Sequence, residues 1–183
     1  MSLANVITIA RILAVPLTIW LIISGDYRVA FWVFVAAGVS DGIDGFIAKR
    51  FDQRTELGAY LDPAADKLLL VSIYITLALL KLIPPWLAIL VASRDILIVG
   101  GVLMATMLAH PLPMKPLMVS KINTTAQIVL AGGILCALGY GFADSDAWYA
   151  GYIVVAALTI ASGTQYLLGW VRWMASTETG RTP

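Results

Sequence analysis

The stretch that decides the fold is DGIDGFIAKRFDQRTELGAYLDPAAD, residues 41–66. It holds six of the eleven acidic residues in a chain of 183 residues that is 60% hydrophobic. Four of these acidic residues stand in otherwise apolar sequence, namely Asp41, Asp44, Asp62 and Asp66. A carboxylate without a partner in such surroundings costs several kcal/mol, so each aspartate needs a basic side chain or a metal ion nearby.

The spacing of the four aspartates predicts that they converge on one site. Asp41 and Asp44 are three residues apart, so they share one face of a helix, and the same holds for Asp62 and Asp66, four apart. An antiparallel hairpin that turns at residues 50–56 would bring both pairs to a similar depth. Four carboxylates favour a hard cation such as Mg²⁺, Mn²⁺ or Ca²⁺, and their charge favours two such ions. The alternative is pairing with the nearby basic residues Lys49, Arg50, Arg54 and Lys67.

The composition predicts an integral membrane protein. The mean hydropathy is +0.88, and 13% of the residues are charged, against about 25% in soluble domains. A net charge of +1 gives no argument for a nucleic-acid partner. The single cysteine, Cys136, lies in an apolar run, which excludes a disulfide framework and a cysteine-based metal site.

Apolar runs of about 20 residues predict six transmembrane helices. The expected fold class is therefore an all-α membrane protein whose active site lies in the hairpin of helices 2 and 3. We interpret residues 1–174 as a single six-helix transmembrane domain and residues 175–183 as a polar C-terminal tail. The predicted spans are about 5–24, 28–51, 57–80, 86–108, 120–139 and 147–174.

The basic residues predict the orientation in the membrane. Arg28 and Lys81 fall on one side, and the other side carries Lys49, Arg50, Arg54, Lys115, Lys121, Arg172 and Arg181. The more basic side is expected to face the cytoplasm, which places both termini and the open end of the hairpin there. The N-terminal residues lack the features of a cleaved signal peptide or an Arg/Ser-rich presequence, so we expect a bacterial inner membrane.

The predicted hairpin suits phosphoryl-group transfer at a membrane surface. Divalent ions held by the aspartates would neutralise a diphosphate. Asp66 lies furthest from the polar turn on the third span, so it is the candidate base toward an incoming hydroxyl. Two other hypotheses are a divalent-cation transport protein and a purely structural membrane protein. A transport protein would need a polar path across the whole membrane, whereas the charged residues within the spans lie near one side only. A purely structural role would leave the four aspartates unexplained.

The hairpin resembles the CDP-alcohol phosphotransferase family, whose pattern is D-G-x2-A-R-x8-G-x3-D-x3-D with a further Asp three residues before it. Lys49 stands where the family usually has Arg, which keeps the charge and loses the bidentate fork. The six-span layout and the opening Asn5-x2-Thr8-x2-Arg11 are also similar to this family. This chain carries the pattern as Asp41, Asp44-Gly45, Ala48-Lys49, Gly58, Asp62 and Asp66.

The resemblance implies an enzyme that displaces CMP from a CDP-linked alcohol with the help of two divalent metals, Mg²⁺ or Mn²⁺. It implies that Asp66 is also the base that deprotonates the acceptor hydroxyl, and that the protein forms a homodimer. The implied metal ligands are Asp41, Asp44, Asp62 and Asp66. The implied nucleotide-binding positions are Gly45, Ala48, Lys49 and Gly58.

The candidate acceptor-binding residues are Arg94 and Lys121. They and Lys115 are the only basic residues of the fourth span, the loop after it and the start of the fifth span. Such a modestly basic face suits a phosphodiester lipid better than a small dianion such as glycerol 3-phosphate. The alternative is that Arg94 pairs with Asp95 and that Lys121 reaches the membrane surface.

Residues 93–103 and 114–127 resemble the CMP-forming cardiolipin synthases. This resemblance implies CDP-diacylglycerol as the donor and phosphatidylglycerol as the acceptor. The related phosphatidylglycerophosphate synthases share the hairpin, so a polyol phosphate, glycerol 3-phosphate, is the alternative acceptor.

Overall fold

The described part of the chain folds as six α-helices. The computed structural model describes the backbone of residues 3–51, 56–107, 118–142 and 145–178, and the side chains of residues 10, 12–40, 67–101, 118–142 and 148–171. The helices are α1 (Leu3–Ile23), α2 (Tyr27–Phe51), α3 (Glu56–Leu79), α4 (Pro85–Met107), α5 (Met118–Tyr140) and α6 (Ser145–Glu178). The prediction of an all-α fold is confirmed across these residues. The last helix extends to Glu178, whereas the sequence predicted an end near Met174.

The helices pack side by side in a closed ring, and their order around the ring is α1, α2, α5, α6, α4 and α3. The first helix, α1, packs between α2 and α3, while α4 packs between α3 and α6, and α5 packs between α6 and α2. A further contact joins α3 to α5 across the ring. The two helices that carry the aspartate pairs, α2 and α3, therefore have α1 and α5 as common neighbours.

Apolar side chains cover much of the exterior as well as filling the core, while a few polar and charged side chains are buried. Arg94 and Asp95 are each 4% exposed, while the next residue, Ile96, is 72% exposed. An apolar exterior around buried charges is stable in a bilayer and is costly in water. Other exposed apolar side chains include Leu13, Trp20, Leu79, Val129 and Val171.

Two helices in the described part of the chain are long and apolar enough to cross a membrane, by length and composition. They are Met118–Tyr140 and Trp148–Val171. Three shorter apolar helical segments accompany them, Ile12–Ile23, Tyr27–Ser40 and Lys67–Leu79. Together with the apolar exterior, these helices indicate a membrane protein.

A left-handed residue follows each of three helices, at Gly25 (φ 81°), Lys81 (φ 58°) and Gly141 (φ 79°). This conformation turns the chain so that the last carbonyls of the helix accept hydrogen bonds. After α3, for example, the N–H of Leu82 donates to the carbonyl of Leu77 at 2.9 Å. Lys81 occupies a position that favours glycine, at a cost of about 1–2 kcal/mol.

At the end of the bundle that holds the α1–α2 turn, α2 and α5 approach very closely. A Cβ on Gly139 would lie 2.8 Å from the backbone N and Cα of Arg28, so only glycine fits there. The Arg28 guanidinium carbon lies 4.7 Å from the centroid of the Tyr140 ring, within the range of a cation–π interaction. The indole of Trp32 donates a hydrogen bond to the Tyr140 hydroxyl at 3.3 Å. These contacts join the start of α2 to the end of α5.

Candidate active site

The four predicted metal-binding aspartates lie on the two helices that share α1 and α5 as neighbours. Asp41 and Asp44 belong to the C-terminal half of α2, and Asp62 and Asp66 to the N-terminal half of α3. Helical backbone at both pairs places the members of each pair on a common helix face. Their side chains lie outside the described ones, as do those of the predicted nucleotide-binding residues Gly45, Ala48, Lys49 and Gly58.

Arg94 on α4 is buried and connects three helices. Its Nη2 donates to Ser162 Oγ on α6 at 2.7 Å and also to Ser120 Oγ on α5, and its Nε lies 3.3 Å from Ser162 Oγ. The ring of Tyr166 on α6 lies 5.9 Å from the guanidinium carbon, measured to the ring centroid. Hydrogen bonds to a charged donor are stronger than neutral ones, so these contacts hold the guanidinium in one place.

Asp95 brings a second cation to the same position. Its Oδ1 accepts hydrogen bonds from Arg94 Nη1 at 2.6 Å and from Lys67 Nζ at 2.7 Å. The ion pair between Arg94 and Asp95, which the sequence analysis raised as an alternative, is therefore present. Lys67 directly follows Asp66 on α3 and is partly exposed. The three charged groups carry a formal net charge of +1, at the position where α3 meets α4.

A polar cavity of about 390 Å³ lies beside these groups. Lys67, Arg94 and Lys121 supply three positive charges to its wall, although Arg94 already has an ionic partner. Lys121 is exposed, so it remains available to a ligand in the cavity. An anion of the size of a phosphate group would be stabilised here by charge-assisted hydrogen bonds. The other lining residues are Ile98, Ser120, Thr124, Thr125 and Tyr166.

An apolar cavity of about 580 Å³ adjoins the polar one, because both are lined by Lys67 and Thr124. Its wall is formed by α2, α3 and α5, and on α2 it reaches Val39, two residues before Asp41. Apart from Lys67 and Thr124, its lining consists of apolar residues and glycines: Phe31, Phe34, Val35, Ala37, Gly38, Val39, Leu69, Leu70, Ile128, Val129, Gly132 and Gly133. The structure therefore combines a cationic space and an apolar space next to the aspartate-bearing helices.

Arg94 and Lys121 were predicted from the sequence, whereas the residues that contact Arg94 were not. Asp95 entered only as a competing partner, and Ser120 and Ser162 were not identified as contacts. The signal for Asp95 was its position next to a charged residue in an apolar span, where charges need partners. Ser162 gave no such signal, because a serine in an apolar helix can bond to its own backbone.

A second buried polar group, also missed from sequence, connects α3, α5 and α6. Thr159 Oγ1 donates to Asn123 Oδ1 at 3.0 Å, and Gln127 Nε2 donates to Thr159 Oγ1 at 3.3 Å. The hydroxyl of Tyr74 donates to the backbone carbonyl of Gln127 at 3.0 Å. Asn123 and Gln127 stand four residues apart in an apolar span, and this spacing could have revealed a shared polar face.

The donor types of the predicted hairpin fit a hard divalent cation. Within the described side chains, no three His, Cys, Asp or Glu residues lie together, and the four aspartates fall outside that part of the chain. The fit therefore rests on donor chemistry and on helix placement. Four carboxylates on two helices with common neighbours, without sulfur or imidazole donors in the motif, are the ligands that Mg²⁺ and Mn²⁺ prefer.

The described helices define an all-α bundle with apolar side chains on its exterior and a cationic cavity beside one of the helices that carry the aspartates. The profile of the CDP-alcohol phosphatidyltransferase family matches residues 1–176, and the chain belongs to that family. Members of this family use divalent metal ions, in agreement with the donor set.

Two relatives illustrate the range of this similarity. The human cardiolipin synthase (CMP-forming) is 33% identical over 181 residues, which are 90% of this chain and 60% of the human protein. The CDP-diacylglycerol–glycerol-3-phosphate 3-phosphatidyltransferase of Bacillus subtilis is 28% identical over 186 residues, 90% of this chain and 93% of that protein. The chain thus spans only 60% of the length of the human and rat cardiolipin synthases that it matches.

Proposed function

We propose that this protein transfers a phosphatidyl group from CDP-diacylglycerol to an acceptor hydroxyl and releases CMP, with phosphatidylglycerol as the acceptor and cardiolipin as the product. The observation that carries the proposal is the pair of adjoining cavities. The polar cavity suits an anionic head group, and the apolar cavity beside it suits a lipid chain. The human relative, named a CMP-forming cardiolipin synthase, supports the same reaction class.

The donor diphosphate is assigned to the hairpin of α2 and α3. The residues that would hold two divalent ions, Mg²⁺ or Mn²⁺, are Asp41, Asp44, Asp62 and Asp66. Such ions supply positive charge that stabilises the diphosphate and the departing CMP. The residues assigned to the nucleotide are Gly45, Ala48, Lys49 and Gly58, and the small ones let the ligand approach the backbone.

The chemical step exchanges one phosphorus–oxygen bond for another. The acceptor hydroxyl oxygen attacks the phosphorus of the phosphatidyl group, and the bond from that phosphorus to the CMP oxygen breaks. The hydroxyl proton passes to the carboxylate of Asp66, and CMP leaves as an anion. Asp66 immediately precedes Lys67, which lines both cavities, so this proton acceptor belongs to the part of α3 that borders the acceptor site.

The acceptor phosphate is assigned to the polar cavity, where Arg94 and Lys121 would contact it. Asp95 already neutralises part of the local charge, because Lys67 and Arg94 share its Oδ1. With Lys121 the charged groups at this cavity carry a formal net charge of +2, so charge alone admits the phosphodiester of phosphatidylglycerol and the dianion of glycerol 3-phosphate. The adjoining apolar cavity favours the lipid acceptor. Glycerol 3-phosphate is the second candidate, since the Bacillus subtilis relative named for it matches along 93% of its own length.

All six helices are proposed to span a bacterial inner membrane, with residues 1–174 as one domain and both termini in the cytoplasm. Single cysteines at Gln53 and Phe142, in a Cys136→Ser background, test this topology by labelling of intact cells. Gln53→Cys is expected to be protected from an impermeant maleimide, and Phe142→Cys is expected to react. The reverse pattern would overturn the orientation. A homodimer is proposed as well, and cross-linking in detergent tests it.

The acceptor screen tests the proposed reaction. Purified protein is supplied with CDP-diacylglycerol, Mn²⁺ or Mg²⁺, and either phosphatidylglycerol or glycerol 3-phosphate, and CMP release is measured. We expect CMP release with phosphatidylglycerol and its loss in Asp66→Asn. Faster release with glycerol 3-phosphate would favour the second candidate. Absence of CMP with every acceptor would reject the enzyme, and metal flux into liposomes would then favour a cation-transport protein.

A further inference from the structure

Asp95 lies at the centre of the charged network and does not line the polar cavity, whereas its two cationic partners do. We propose that Asp95 is a positioning residue, which aims the Arg94 guanidinium and the Lys67 ammonium at the phosphate group of the acceptor. This inference deepens the proposed function and rests on it. Asp95 itself touches neither substrate, so its effect passes through the two cations.

The geometry of the carboxylate supports a role in alignment. Both cations bind the same oxygen, Oδ1, at 2.6 Å and 2.7 Å. The other oxygen, Oδ2, is buried and has no hydrogen-bond partner among the described side chains. Asp95 thus holds two positive charges at one point, and both cations line the polar cavity.

The ion pair between Arg94 and Asp95 also supports a role of Asp95 in alignment. Arg94 and Asp95 are consecutive on α4, and consecutive helical residues do not face each other. The guanidinium therefore bends around the helix to reach Oδ1, and two serines on α5 and α6 accept hydrogen bonds from its other nitrogens. Lys67 on α3 donates to the same oxygen, so Asp95 also restricts the rotation of this long side chain. The carboxylate thus links the acceptor-binding guanidinium to the residue that follows the proposed base, Asp66.

The test compares the Michaelis constants of the two substrates in Asp95→Asn, an isosteric change. Alignment through the cations predicts that KM for the acceptor rises about tenfold or more, while KM for CDP-diacylglycerol stays within about twofold. A purely structural role would lower the amount of active enzyme, hence Vmax, and leave both constants unchanged, and that result overturns the inference. The matched control is Asp26→Asn, which makes the same change at an exposed carboxylate in the α1–α2 turn.

Two further variants keep the inference testable if Asp95→Asn does not fold. Asp95→Glu retains the charge and is expected to recover most of the acceptor affinity. Lys67→Met removes one of the aligned cations, so it is expected to raise the acceptor KM and to make the further change at Asp95 less than additive. An unchanged acceptor KM in Lys67→Met overturns the inference. Absence of CMP release from the wild-type protein with any acceptor is a different result, because it rejects the proposed function itself.

Discussion

The hydroxyl of Thr159 on α6 donates a 3.0 Å hydrogen bond to Asn123 on α5, and the two residues are 1% and 0% exposed. The same hydroxyl accepts a hydrogen bond from Gln127. One threonine therefore bonds to one polar atom of each of two buried amide side chains, while Asn123 Nδ2 and Gln127 Oε1 have no hydrogen-bond partner among the described side chains. Because no solvent replaces a lost bond there, this contact is expected to matter more for stability than a threonine that bonds to its own helix.

Thr159→Val should lower the free energy of unfolding by about 1–2 kcal/mol, because two buried amides lose a partner. Thr18→Val is the matched control, since Thr18 is also fully buried and donates only to the carbonyl of Ala14 in its own helix. That change should cost less than about 0.5 kcal/mol. Thermal unfolding of both variants in detergent measures the difference, and equal shifts would contradict this interpretation.

Gly139→Ala should destabilise the bundle by about 1–3 kcal/mol, because the new methyl group would lie 2.8 Å from the backbone of Arg28 and would push α2 away from α5. Gly100→Ala on α4 is the control, since its Cβ would meet open space. The control should be neutral or stabilising by up to about 1 kcal/mol. The unfolding temperatures of the two variants are compared under the same conditions. An unchanged unfolding temperature in Gly139→Ala would argue against the close approach of α2 and α5.

Lys121→Ala should raise KM for the acceptor about tenfold, because it removes a cation from the wall of the polar cavity. Lys81→Asn provides the control. It also removes one lysine charge, but in a turn outside that cavity, and asparagine tolerates the left-handed backbone found there. Initial rates of CMP release over a range of acceptor concentrations give KM for the acceptor in each variant. A similar rise in the control would show a nonspecific charge effect.

Lys49→Ala should weaken CMP binding more than Lys115→Ala does, because Lys49 stands in the motif at the position assigned to the diphosphate. The loss of one charge-assisted hydrogen bond predicts a difference of about 1.5–3 kcal/mol. Calorimetric titration of CMP into each variant measures it in the presence of Mn²⁺. If both substitutions weaken binding equally, the nucleotide does not lie beside Lys49.

Removal of divalent ions should abolish CMP release, and Mn²⁺ or Mg²⁺ should restore it, because four carboxylates without a metal would repel the diphosphate. Asp44→Asn should reduce the rate more than about a hundredfold even at saturating metal. A chelator titration followed by readdition of each ion tests the first statement. Full activity in excess chelator would remove the metal from the proposed mechanism.

The helices were predictable because their apolar runs are long and are separated by short polar or proline-containing turns. The contact between Lys67 and Asp95 was not, because it depends on how α3 and α4 rotate against each other, and 28 residues separate the two positions. Thr159 and Ser162 were equally hidden, since hydroxyl side chains in apolar helices commonly bond to their own backbone. Lys81 lies between the predicted third and fourth spans, but nothing in a lysine indicates its left-handed backbone.

The close approach at Gly139 has a consequence for the apolar cavity between the same two helices. The two helices touch at Arg28 and Gly139, and from Phe31 to Val39 the same two helices line the apolar cavity. A larger residue at Gly139 is expected to move α2 relative to α5 and so to change the width of this cavity. The length or unsaturation of the lipid chains that fit is therefore expected to depend on a position that lines neither cavity.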